Sequence, residues 1–78
     1  MRGRAIEMIP AVDYILRNLR RNGWAVSVHL MSEYVEMHAV KLDALDDPPK
    51  IARCGDGDDD LAQLTCAKVL AEMCHDHP

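Results

Sequence analysis

Ser27, His29, Glu36 and His38 are the side chains whose types and spacing most invite chemistry. Ser27 and His29, and Glu36 and His38, stand two residues apart, which is the repeat of one face of an extended strand. If the two segments lie side by side, His29 faces Glu36 and Ser27 faces His38. The histidines are then diagonal neighbours, roughly 5–8 Å apart at Cβ. Two imidazoles and one carboxylate could hold zinc or another borderline metal. The same groups suit a solvated face or the polar centre of a subunit contact. No Cys-x-x-Cys pair accompanies them, so this metal reading rests on His29, Glu36 and His38 alone.

Other constellations are poorer. Cys74-His75-Asp76-His77 resembles a ligand cluster, but it sits at a terminus that is expected to fray. Asp56, Asp58 and Asp60 have the i, i+2, i+4 spacing of a calcium loop. Leu61 and Ala67 then stand where such a loop needs Gly and Glu. Those acids fit better as partners of a helix N-terminus, where the dipole favours negative charge. They also argue against a phosphate cradle at Gly55-Asp56-Gly57. The cysteines are three, Cys54, Cys66 and Cys74. An odd number without an export signal suggests reduced thiols in the cytoplasm. On one helix, Cys66 and Cys74 would stand about 12 Å apart, too far to pair, and both suit small core positions. Neither a nucleophile elbow nor HExxH occurs. The chain is therefore not expected to be an enzyme, and no cofactor is expected.

The elements that must position these residues follow from periodicity. Over 9–22, Ala11, Val12, Ile15, Leu16 and Leu19 continue a stripe begun by Met8, with Asp13, Arg17, Arg20 and Arg21 opposite. Pro10 suits a first turn and Gly23 a helix stop. Residues 4–8 either extend this helix or form a short strand. Over 24–42 the period drops to two, which predicts a β-hairpin. In its register Leu30 faces Val35, Val28 faces Met37 and Val26 faces Ala39, all on the core face. The other face pairs Met31 with Tyr34, His29 with Glu36, Ser27 with His38, and Ala25 with Val40. A one-residue slip would scramble both faces. Residues 43–60 form an acidic connection with seven acids and two bases, leaving room for a short strand at 51–54. A second helix is expected over 60–74, capped by Asp60 with Gln63 completing a capping box. Its apolar stripe would be Ala62, Cys66, Val69, Leu70 and Met73, with a flexible tail at 75–78 beyond.

Composition narrows the functions. The chain has 78 residues, enough for one domain, with 49 % apolar residues and no phenylalanine. No segment approaches the ~20 apolar residues of a membrane span. Arg2 and Arg4 are followed by Glu7 and Pro10, unlike a signal peptide. Net charge is −4, divided as +3 over residues 1–23 and −7 over the remainder. Nucleic acid is thus an unexpected partner, although Arg17, Arg20 and Arg21 share a helix. The α-β-β-β-α order is similar to that of the double-stranded-RNA-binding module. That module needs positive charge at the start of its second helix. Asp58-Asp59-Asp60 stands there instead, which rejects the activity.

The resulting expectation is an α+β fold, a two-layer sandwich with one sheet face covered by two helices and the other open. Met31, Tyr34 and Val40, with Ser27, His29, Glu36 and His38, would make that open face an interface. An apolar patch on a small domain favours a twofold homodimer. The half from Trp24-Ala25-Val26-Ser27-Val28 through Tyr34-Val35-Glu36-Met37 to the closing segment Leu61–Ala71 resembles small phage-type α-β sandwich domains of unknown function. That resemblance implies the fold and a phage or bacterial setting, and brings no catalytic residues. The expected role is a self-associating interaction or structural module. A metal-binding protein (His29/Glu36/His38 or the C-terminal Cys/His cluster) or a nucleic-acid-associated accessory protein is the alternative.

Overall fold

A computed structural model describes residues 9–75 of the chain. Its elements run α1 (Pro10–Arg21), β1 (Trp24–Leu30), β2 (Tyr34–Lys41), β3 (Lys50–Gly55) and α2 (Asp60–His75). The three strands form an antiparallel meander in the order β1-β2-β3. α1 packs over β1 and against α2, and α2 covers β2 and β3. The fold is the α+β two-layer arrangement expected from the hydrophobic pattern.

Helix α1 begins where proline permits. Ile9 is extended and precedes Pro10, whose missing N–H removes nothing from the first turn. The helix ends at Asn22, and Gly23 follows with φ of +92°, a conformation that costs glycine little. Val12, Leu16 and Leu19 of its stripe are buried, whereas Ala11 is exposed. Met8 and residues 4–8 lie outside the described residues.

The β1–β2 register sets Leu30 opposite Val35, Val28 opposite Met37 and Val26 opposite Ala39. These residues, with Ala52 and Cys54 of β3, make the inner face beneath the helices. Val12, Leu16, Val35, Met37, Cys66 and Leu70 are the largest side chains fully withdrawn from solvent. Each of the larger aliphatic ones contributes about 1.5–3 kcal/mol through burial.

Three details differ from the sequence expectation. The third strand is longer, Lys50–Gly55 rather than 51–54. Helix α2 continues through His75, the first residue of the expected tail; residues 76–78 lie outside the described residues. The buried face of α2 is also rotated. It presents Gln63, Cys66, Ala67, Leu70 and Cys74, while Ala62 and Val69 are half-buried and Met73 is exposed. The cause lies in the turn before the helix. Asp59, not Asp60, caps it: the Leu61 N–H donates to Asp59 Oδ1 at 3.1 Å. Gln63 takes no part in a capping box. Its Nε2 donates instead to the buried Gly57 carbonyl at 2.9 Å, which draws position 63 inward and turns Leu61 outward.

Candidate interaction surface

The outer face of the sheet is built by alternation. Residues with inward neighbours on either side must point away from the helices. On β1 these are Ala25, Ser27 and His29; on β2, Tyr34, Glu36, His38 and Val40; on β3, Ile51 and Arg53. The two registers arrange them in rows across the sheet. Ala25 pairs with Val40; Ser27, His38 and Ile51 form the next row; His29, Glu36 and Arg53 the third; Tyr34 and Gly55 the last.

The two middle rows form one polar network. His38 Nε2 donates to Glu36 Oε2 at 2.7 Å. Arg53 grips Glu36 Oε1 through Nη2 at 2.6 Å and Nε at 2.8 Å. The His29 and His38 rings stand with centroids 5.0 Å apart, tilted by 57°. Ser27 Oγ and His29 Nε2 share a hydrogen bond of 3.3 Å. The Arg53 guanidinium also lies over the Tyr34 ring, 4.5 Å from its centroid, a cation–π arrangement. The Glu36 side chain is only 17 % exposed against 61 % for Arg53, so the carboxylate sits beneath its partners. The His38 hydrogen bond, and then that of Arg53, hold its pKa below the usual 4.5.

The sequence expectation placed Ser27, His29, Glu36 and His38 on one outward face, and the structure puts them together there. It does not assemble His29, Glu36 and His38 into a metal centre. Among the described residues no group of three or more His, Cys, Asp or Glu side chains could hold a metal ion. The physical reason is that both oxygens of Glu36 are engaged by His38 and Arg53, while His29 turns to Ser27. Of the C-terminal cluster, Cys74 is buried in the core, and His77 lies outside the described residues. The acids of the calcium-like spacing serve the backbone. Asp56, at φ of +61°, accepts from the Asp58 N–H at 3.2 Å. On α1, Arg17 is bound to Asp13 at 2.8 Å, one turn earlier. Met31 lies in the turn next to this face and is exposed.

Two features escaped the sequence. Arg53 and Ile51 complete the outer face from β3, a placement that depends on a register no short turn specifies. A groove of about 840 Å³ also opens between the C-terminal ends of α1 and α2, with Leu19, Trp24, Lys41 and Cys74 among its lining. Lys41 bridges it, with Nζ 5.4 Å from the Trp24 ring centroid and donating to the Asn22 carbonyl at 2.7 Å. The lysine thus caps α1, satisfying an end that carries partial negative charge.

No helix among the described residues is long and apolar enough to cross a membrane. Comparison of the chain with family models, curated proteins and solved structures finds no match.

Proposed function

We propose that the protein is an interaction module that pairs with a second copy of itself through the outer face of its sheet. The observation that carries this reading is the order of the four rows. An apolar end (Ala25, Val40) is separated from an aromatic end (Tyr34) by the His38–Glu36–Arg53 network. A twofold axis lying across the strands, between the two middle rows, makes such a face complementary to itself. It sets Val40 against the partner's Tyr34, His38 against the partner's Glu36, and Ile51 along the partner's Arg53. Ile51 is 45 % exposed and Met31 47 %, so each copy leaves apolar surface that pairing would cover. The internal pairing of Glu36 with Arg53 lowers the desolvation cost of bringing this centre out of water.

The contact is small. Standard strand rise and spacing give a face of about 20 Å by 15 Å. Its burial lies toward the weak end of specific interfaces, so the pair should exchange with single chains. The resemblance to small phage-type α-β sandwich domains, which brings no catalytic residues to this chain, fits this role. Three unpaired thiols fit a reducing compartment such as the cytoplasm. The test is light scattering across a concentration series. The mass should rise from 8.8 kDa toward twice that value, and Val40→Asp should hold it at 8.8 kDa with an unchanged circular dichroism spectrum. A wild-type mass fixed at one chain, or a dimer indifferent to Val40→Asp, overturns the reading.

A further inference from the structure

Cys54 and Cys66 lie where the sheet meets α2, and no role described above uses them as a pair. Cys54 points inward from β3 and is half-buried; Cys66 points down from α2 and is fully buried. Strand register places Cys54 directly opposite Val35. The Cys66 thiol donates to the carbonyls at both sides of that position, Ala52 at 3.2 Å and Val35 at 3.8 Å. Its sulfur therefore lies against the β2–β3 backbone, between the Val35–Cys54 rung and the neighbouring Met37–Ala52 rung, on the inner face that Cys54 shares. Helix and sheet come this close because small side chains, Ala52, Cys66 and Ala67, meet between them.

From this geometry we infer that Cys54 and Cys66 form a reversible redox site, closing to a disulfide when the protein meets a hydroperoxide. Cys54 is the entry thiol, because it alone of the two has solvent access. Cys66 is fully withdrawn from solvent, so the oxidant meets Cys54 first. In the first step the Cys54 thiolate attacks the peroxide. A sulfur–oxygen bond forms, the oxygen–oxygen bond breaks, and sulfur gives up two electrons to leave a sulfenic acid. The departing hydroxide takes the proton that Cys54 released and becomes water. In the second step Cys66 sulfur attacks Cys54 sulfur and displaces the hydroxyl group. The Cys66 proton leaves with that hydroxyl as a second water. Two thiols and one hydrogen peroxide thus give one disulfide and two waters.

The disulfide would tie α2 to β3 across the Gly55–Asp59 turn. Exchange of the two Cys66 hydrogen bonds for a covalent bond would lock the helix onto the sheet. Cys74 is an internal control. It stands eight residues along α2 from Cys66, about 12 Å on a helix, and it lines the groove at the C-terminal ends of the helices.

The test is intact-mass spectrometry of the native protein after one equivalent of hydrogen peroxide, with peptide mapping. The expected product is lighter by about 2 Da, carries a Cys54–Cys66 crosslink, and retains one thiol that alkylates after denaturation. Dithiothreitol should restore three. Cys74→Ala should keep the mass loss. Cys66→Ala, which leaves a small buried side chain, should abolish it and accumulate oxygen adducts on Cys54. Oxygen adducts on the wild-type protein, a disulfide-linked dimer through Cys54, or three thiols remaining after treatment would each overturn the inference. These outcomes are independent of self-association through the outer face.

Discussion

Gly57→Ala should cost the protein a large part of its stability, while Gly55→Ala, two residues earlier, should cost almost nothing. A methyl group on Gly57 would stand 1.9 Å from the Met31 carbonyl oxygen and 2.8 Å from that of Tyr34. Both obstacles are backbone atoms, so no side chain can swing aside. Carbon and oxygen stay about 3 Å or more apart in close-packed interiors, so the β1–β2 turn must withdraw by about 1 Å. That turn is held by Met31 N–H donating to Tyr34 at 2.9 Å and by Asp56 N–H donating to Glu33 at 3.0 Å. Losing two backbone hydrogen bonds costs about 1–3 kcal/mol, and forcing a close-packed site apart costs about 1–3 kcal/mol more. A loss of about 3 kcal/mol is a large share of the roughly 4–12 kcal/mol typical of a domain this size. It should lower Tm by about 15 °C. Nothing lies within 4 Å of a methyl group on Gly55. Urea unfolding followed by circular dichroism measures both variants. A Gly57→Ala protein within about 0.5 kcal/mol of wild type, or equal losses at the two positions, would refute the packing of this turn.

Other perturbations probe the network and the core. Glu36 has its pKa lowered by His38 and Arg53. A depressed carboxyl contributes stability that is present above the usual 4.5 and lost as pH falls through the folded value below it. Glu36→Gln should therefore unfold at a lower temperature than wild type at pH 7, and the gap should close near pH 3; a gap independent of pH contradicts the paired carboxylate. Met37→Ala removes a side chain with 0 % exposure and should cost about 2–5 kcal/mol in urea unfolding. A loss below about 1 kcal/mol would mean that Met37 does not fill the space between sheet and helices.

The sequence made some of this legible for clear physical reasons. The β1–β2 register was readable because both strands alternate and only three residues, 31–33, separate them. Any slip would have turned His29 and Glu36 into the core. Pro10 and Gly23 marked α1 because each favours one end of a helix. The eight residues between β2 and β3, with Pro48-Pro49 among them, set no register. The pairing of Arg53 with Glu36, which organises the outer face, was therefore invisible. The rotation of α2 is not legible because the helix carries Leu61, Leu64, Val69, Leu70 and Met73 on several sides, so more than one apolar stripe fits the sequence. What selects the real one is the Gly57 carbonyl, whose burial depends on the close approach of the β1–β2 turn. Gln63 answers it at the cost of leaving its own Oε1 without a hydrogen-bond partner.

Isotope-filtered nuclear Overhauser spectroscopy on an equal mixture of labelled and unlabelled chains reads out which face of the chain meets its copy. At millimolar protein, the Val40 methyl groups of one copy should show contacts to the Tyr34 ring of the other, with Ile51 near the partner's Arg53. A mixture with the mass of two chains whose intermolecular contacts arise from the helices, or a mixture without any such contacts, would contradict pairing through the outer sheet face.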